Sequence, residues 1–279
     1  MTESSRLAVV GVDGSPESTL AASWAAADAR HRLLPLHLVL VNDDPARSEW
    51  ADATVRELGA RCRAEAPHVA VTEEVTSGHP AEVLIGRSTR ASVIVVGSRG
   101  LGGFTGALLG SVSTAVAMHS SCPVVVVRAR AGVTGPVVVG LDTSPLSRVV
   151  LEFALEAAAV RGLDLLAMQL WQQPEHDDVF ATPIPLPSPA ELQQRMQRRL
   201  AEQVAGYSDK YPDVRIQKIA QRGHPVSALT RASHDAELVV VGHRGRGGYS
   251  GMLLGSVAAG VLHHAHCPVA VVRVNGERD

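Results

Sequence analysis

Aromatic residues are scarce in this 279-residue chain, 3% in all, while hydrophobic residues reach 46%. Proteins that hold single-stranded nucleic acid by stacking need more rings than that. An excess of basic charge is missing too. Lys and Arg total 26 against 28 Asp and Glu, and division near Gly132 leaves 12 against 13 and 14 against 15. Neither half carries the cationic footprint of a nucleic-acid binder. The three cysteines (Cys62, Cys122, Cys267) form no zinc-like spacing and no even set for a disulfide framework. No apolar run approaches the roughly 18 residues of a membrane span. The start is polar, and the apolar stretch behind it, Leu7 to Val12, is too short for a signal-peptide core. A soluble, cytoplasmic protein is expected, and its apolar content excludes general disorder.

What the chain does contain, it contains twice. VVGVDGSP at Val9–Pro16 returns as VVGLDTSP at Val138–Pro145, 129 positions on. Val95–Arg128 returns as Val240–Arg273, 145 positions on, with 21 of 34 residues identical. The two offsets differ by 16, so the second copy carries a net insertion, placed between Trp171 and Ile216 where PIPLPSP (Pro183–Pro189) stands. Two domains follow, residues 1–132 and 133–279, joined at Ala129–Pro136 without a long tether.

Each copy alternates short apolar runs with helical stretches. Leu7–Val12, Leu36–Val41, Val69–Val75, Ser92–Val96 and Val124–Arg128 read as strands buried on both faces. Pro16–Leu33, Pro45–Ala66, Pro80–Thr89 and Gly110–Ser120 read as helices between them. Ser15 before Pro16 is a helix start, with a side-chain oxygen to cap free amides and a proline where no amide is needed. Ser144–Pro145 repeats that pair. In the second copy the strands fall near Val137–Leu141, Leu165–Leu170, Val214–Ala220, Leu238–Val241 and Val269–Arg273. This pattern is α/β, two tandem doubly wound domains.

The segment that carries chemistry follows the fourth strand. Gly97-x-x-Gly100, nine residues, then Gly110-Ser111 opens a helix, and Gly242-x-x-Gly245 leads in the same way to Gly255-Ser256. Glycine lets main-chain amides approach a ligand, and a helix N-terminus adds unpaired N–H groups and a positive dipole end. A phosphate chain is the expected ligand. No Gly-Lys-Ser/Thr closes the loop, so it is not a Walker A loop, and it follows the wrong strand for a dinucleotide fingerprint. One copy alone would equally be a tight crossover turn; retention of the spacing in two diverged copies favours the ligand. Asp13 and Asp142 follow the first strand of each copy. Such a carboxylate accepts a ribose hydroxyl or organises the loop as an Asx turn.

Taken together, Val12–Pro16, Gly97–Ser111 and Ser121–Val124, with Leu141–Pro145, Gly242–Ser256 and His266–Val269, resemble the universal stress protein family in its tandem form. The resemblance covers nearly the whole chain and is weakest around Pro174–Pro189. It implies five parallel strands per domain in the order 3-2-1-4-5, with ATP in the crevice between strands one and four. On that basis Asp13 and Asp142 hold ribose or adenine, Gly11 and Gly140 line the pocket, and the backbone at Val41 and Leu170 meets the adenine edge. Gly97, Gly100, Gly103, Gly110, Ser111 and Val112 cradle ribose and phosphates, as do Gly242, Gly245, Gly248, Gly255, Ser256 and Val257. Arg99 and Arg244 either pair with phosphate or stay solvated. The second copy departs at His243 for Ser98, Arg246 for Leu101 and Thr143 for Gly14, which implies a more basic pocket of different shape.

Other groups point less far. His263, His264, His266 and Cys267 correspond to Met118, His119, Ser121 and Cys122, so only one His and the Cys recur, and no protein metal site is expected. Mg²⁺ needs few protein ligands and is expected only as a passenger on nucleotide phosphates. Phosphoryl transfer asks for a positioned base and a cation at the leaving group, yet each glycine loop lacks Lys, Asp and Glu. A nucleotide-dependent sensor or regulator of stress response or growth arrest is therefore expected ahead of a slow ATP hydrolase or phosphotransferase, and that ahead of an assembly module with structural nucleotide. The last strands would be sheet edges, which invites the copies to pair as an intrachain pseudo-dimer. A homodimer of chains is a further implication of the resemblance. The proline-rich insertion reads as a longer surface loop before an interface arm or lid.

Overall fold

The computed structural model describes residues 7–101, 109–128, 134–171, 188–245 and 253–273. The first half runs β1 (Leu7–Val12), α1 (Pro16–Arg32), β2 (Leu36–Val41), α2 (Ser48–Glu65), β3 (Val71–Thr76), α3 (Pro80–Arg87), β4 (Ala91–Gly97), α4 (Ser111–His119) and β5 (Val124–Val127). The second half runs β6 (Val137–Leu141), α5 (Leu146–Ala159), β7 (Leu165–Trp171), α6 (Pro189–Val204), α7 (Tyr207–Lys210), β8 (Ile216–Arg222), α8 (Pro225–Ala232), β9 (Leu238–Gly242), α9 (Ser256–His264) and β10 (Val269–Val272).

All strands among the described residues join one ten-stranded sheet in the order β3-β2-β1-β4-β5-β10-β9-β6-β7-β8. Each half thus has the expected 3-2-1-4-5 order, parallel throughout. The halves meet where β5 and β10 run antiparallel, Val126 opposite Val269 and Val124 opposite Val271. The edges that would otherwise lie open satisfy each other within the chain, and β3 and β8 are the outer strands. Among the described residues no helix is long and apolar enough to cross a membrane.

Two apolar layers, one on each face, continue across both halves. α1, α2, α5 and α6 cover one face through residues such as Ala21, Ala25, Leu58, Leu151, Leu155 and Leu200. α3, α4, α8 and α9 cover the other through Leu84, Val116, Leu229 and Val261. Burial on both sides explains the unbroken valine run of β5 and the all-apolar Val-Ala-Val-Val of β10. The cysteines belong to these layers. Burial pushes the Cys62 thiol up to about 11 and those of Cys122 and Cys267 to about 12. Because the thiolate is the reactive form, a thiol reagent at pH 8 will label none of the three in the native protein and all three after denaturation. A rapid native reaction, read by absorbance, would contradict this packing.

Local signals set most boundaries. Ser15 caps α1 by accepting from the Ser18 amide at 3.1 Å, with Pro16 in the first turn. The repeated Ser144–Pro145 start does not form that cap. α5 begins at Leu146 with no side-chain cap, and Ser144 instead donates its hydroxyl to Asp142 at 2.6 Å. The reason lies one residue earlier. Gly14 adopts φ +82°, a conformation costly for β-branched Thr143, and among the described residues Leu33 alone has positive φ without being glycine. The helix expected over Pro45–Ala66 divides into a 3-10 turn at Pro45–Arg47, capped by Asp44, and α2. β3 and β8 start two residues later than expected because Val69 and Val214 donate backward, to Ala66 and Tyr211, closing turns.

The pseudo-two-fold axis shows at the α1–α5 contact. Arg32 lies over Phe153 of the other half, 4.9 Å from the ring centre, and Arg161 over Trp24 at 5.4 Å. These pairs are each other's counterparts at the 129-residue offset. Asp28, 2% exposed, breaks the symmetry by accepting from both Arg32 and Arg161.

Candidate functional site

Brought together at the carboxyl ends of β1 and β4 is a crevice of about 240 Å³, lined by Gly11, Asp13, Val41, Gly97, Arg99, Gly100, Gly110, Ser111 and Val112 among others. Its counterpart at β6 and β9 measures about 440 Å³ and is lined by Gly140, Asp142, Leu170, Gly242, Arg244, Gly245, Gly255, Ser256 and Val257. Every expected site residue within the described residues lies in one of these two crevices. Gly103, Gly248 and Arg246 lie outside the described residues, as does most of the PIPLPSP stretch. A wider groove of about 720 Å³ between α5 and the α6–α7 segment shares only Ser144 and Ser147 with the second crevice, and it lacks the glycine loop.

The head of each crevice is a helix start without a side-chain cap. Gly110 and Gly255 are the N-cap residues of α4 and α9, and neither has a side chain to satisfy the amides of the first turn. Instead their own amides close the loop behind, Gly110 onto Ser98 O and Gly255 onto His243 O, both at 2.7 Å. That bond aims the helix axis at the crevice. The first-turn N–H groups and the dipole together favour an anion there. Ser111 and Ser256 add hydroxyls in the first turn. In the first half Ser113 also ties α4 to the strand by donating to Gly97 O at 2.6 Å, which Ala258 cannot do in the second.

The glycines are required by close approach. A Cβ on Gly97 would meet the backbone of Glu17 and Ser18 at 2.8–3.0 Å, and one on Gly100 would meet Asp13 Oδ2 at 2.3 Å. On Gly245 it would stand 2.9 Å from Asp142 Oδ2. Gly11 and Gly140 make room for Leu84 and Leu229, whose side chains wall the crevice from α3 and α8.

Asp13 is committed locally. Its Oδ1 accepts from the Ser15 amide at 3.0 Å, the Asx turn, while Oδ2 accepts from the Leu101 amide at 2.8 Å and draws the glycine loop down. Asp142 Oδ1 accepts from the Ser144 amide and from the hydroxyls of Ser144 and Ser147. Arg99 lines the first crevice with its Nη2 paired to Glu17 at 2.8 Å, so its charge is already engaged by a carboxylate. In the second half Leu146 occupies the position of Glu17, so the Arg99–Glu17 pair is not repeated at those two positions.

The apolar end was missed from the sequence. Val39, Pro80 and Leu84 form it in the first crevice, Met168, Pro225 and Leu229 in the second. A signal existed: Gly-His-Pro stands at Gly78–Pro80 and again at Gly223–Pro225, and each proline opens a pocket-lining helix. Among the described residues no group of three or more His, Cys, Asp or Glu is arranged to hold a metal.

A tandem doubly wound α/β protein with two like crevices, each pairing an apolar slot with a main-chain anion cradle, is the class these features define. The chain belongs to the universal stress protein family, whose model matches residues 6–128 and again 134–273. It is 36% identical over 288 residues to universal stress protein Rv2005c of Mycobacterium tuberculosis, covering 95% of this chain and 96% of that one. It is 37% identical over 288 residues to a universal stress protein of Mycolicibacterium smegmatis, with the same coverage. A universal stress protein from Archaeoglobus fulgidus shares the fold over 97% of both chains, with a TM-score of 0.68 at 22% identity.

Proposed function

We propose that each half binds one adenine nucleotide, ATP in the working state, and that the protein acts as a nucleotide-dependent regulator in stress response rather than as an enzyme. The observation that carries this reading is the uncapped first turn of α4 and of α9 at the head of a crevice whose lining recurs in both halves. The donor set is amides and a serine hydroxyl, which suits phosphate oxygens. The slot between Val39, Val41, Pro80 and Leu84, or Met168, Leu170, Pro225 and Leu229, suits a purine face with strand-end backbone at its edge. Asp13 and Asp142 border the space between cradle and slot, where a ribose would sit.

Hydrolysis finds no support in the arrangement. Both oxygens of Asp13 already accept amide hydrogen bonds, so this carboxylate is poorly disposed to activate water or to anchor a metal. Magnesium enters this reading on the phosphates alone.

Denaturing the purified protein and identifying released small molecules by mass tests the reading directly, with adenine nucleotide the expected species. Added ATP at about 100 times its Kd will stabilise a filled pocket by about 2.7 kcal/mol. Phosphate release will stay at background with Mg²⁺ present. A melt unmoved by both ATP and ADP would remove the nucleotide reading, and rapid turnover would replace regulator with hydrolase.

A further inference from the structure

One side chain crosses the seam between the halves and touches the framework of both crevices. Arg273 follows β10 directly. Its Nη2 donates to the carbonyl of Leu253, 2.9 Å away, two residues before the Gly255 cap of the second crevice. The same nitrogen donates to the carbonyl of Met118, in the last turn of α4. The N-terminus of α4 is the cradle of the first crevice. A guanidinium is well suited to this place, since carbonyls of a last helical turn lack intrahelical partners and the dipole there favours a cation. The path therefore consists of one nine-residue helix, one arginine and the residues leading into the second cradle.

Among the described residues the other half shows no such latch. Arg128 is the counterpart of Arg273 at the 145-residue offset, and its Nε and Nη2 are buried without a hydrogen-bond partner among the described residues. Burial, with Arg99 nearby, holds its pKa below the ordinary arginine value. Two arginines of like origin thus stand at one seam, and among the described residues only Arg273 is tied across it.

We infer that Arg273 is a positioning residue that couples the two crevices, so that a nucleotide in one strengthens binding in the other. This rests on the proposed nucleotide reading. An anion gripped by the first turn of α4 steadies that helix along its axis, and with it the Met118 carbonyl. The guanidinium held there steadies Leu253 and the start of α9. The second nucleotide then meets a cradle already ordered, and by linkage the effect is reciprocal.

Calorimetric titration of ATP into the full-length protein, and into a Gly245→Val variant whose weakened second crevice stays empty while the first fills, gives the affinity of the first crevice with its neighbour filled or empty. The expected result is at least about five-fold tighter binding when the neighbour is filled, the lower end of typical coupling. In an Arg273→Gln background that ratio will fall below about two while two sites remain measurable, and Arg273→Lys, which lacks the planar fork, will restore it only in part. Arg128→Gln, altering the same seam where the described residues show no bond, will leave the ratio at the wild-type value. Equal affinities with the second crevice filled or empty would overturn the coupling, as would a ratio that survives Arg273→Gln. A loss of the ratio in Arg128→Gln equal to that in Arg273→Gln would also overturn it, by tracing the effect to general seam packing. Should Arg273→Gln fail to fold, the Gly245→Val comparison and Arg128→Gln still decide. No binding of ATP or ADP to any form would instead refute the nucleotide reading.

Discussion

Replacing Asp28 with alanine will lower the unfolding free energy by about 3–5 kcal/mol, the typical cost of removing one partner from a buried ion pair. Asp28 is 2% exposed and is shared by Arg32 and Arg161, whose side chains are 10% and 7% exposed. Arg32 keeps a second carboxylate, Glu156 at 3.1 Å, so the penalty falls mainly on Arg161. That residue belongs to the other half, 133 positions away. The loss therefore loosens the α1–α5 contact between halves rather than one domain's interior. Denaturant melts of wild type, Asp28→Ala and the double variant Asp28→Ala/Arg161→Met separate the causes. The double variant will recover most of the stability, because it removes the stranded cation and leaves apolar volume beside Trp24. A double variant no better than the single one would mean that shape, not charge, sets the cost.

Valine at Gly100 and at Gly245 will weaken nucleotide binding by about 10–100-fold at each altered crevice, the worth of one or two charge-assisted hydrogen bonds. Neither glycine has positive φ, so backbone strain is not the cause. The new Cβ on Gly100 would stand 2.3 Å from Asp13 Oδ2, which must swing away and release the Leu101 amide. The loop then lifts and the cradle loses its shape. At Gly245 the approach is 2.9 Å, so a smaller displacement and a smaller loss are expected. The stability of the unliganded protein will change by no more than about 1 kcal/mol, since one loop hydrogen bond is at stake. Titration calorimetry of the two single variants reads both effects. Wild-type affinity in both would leave the glycines as turn formers only.

Much of this molecule was legible in its sequence, and the reasons are local. Strands buried on both faces write themselves as valine runs, so β1, β2, β5 and β6 stood within a residue of their observed ends. The duplicated Gly-x-x-Gly and Gly-Ser marked both anion cradles, because close main-chain approach excludes a Cβ wherever it occurs. The Ser15–Pro16 helix start was legible for the same kind of reason. Its copy at Ser144–Pro145 was misjudged although the decisive residue, Thr143, was in view. Pro80 and Leu84, with Pro225 and Leu229, left a trace only in the recurring Gly-His-Pro, which has no obvious chemistry of its own.

The sequence by itself determined the duplication, the strand and helix content, and the two glycine loops that end at helix starts. Each depends on side chains within a few residues of one another. Only the tertiary structure decided that Glu17 engages Arg99 across 82 positions, that Asp28 joins the halves through Arg161, and that Arg273 bonds the carbonyls of Met118 and Leu253 together. Such pairings follow from where the sheet order and the antiparallel β5–β10 seam carry distant segments, and a linear pattern holds no record of those distances.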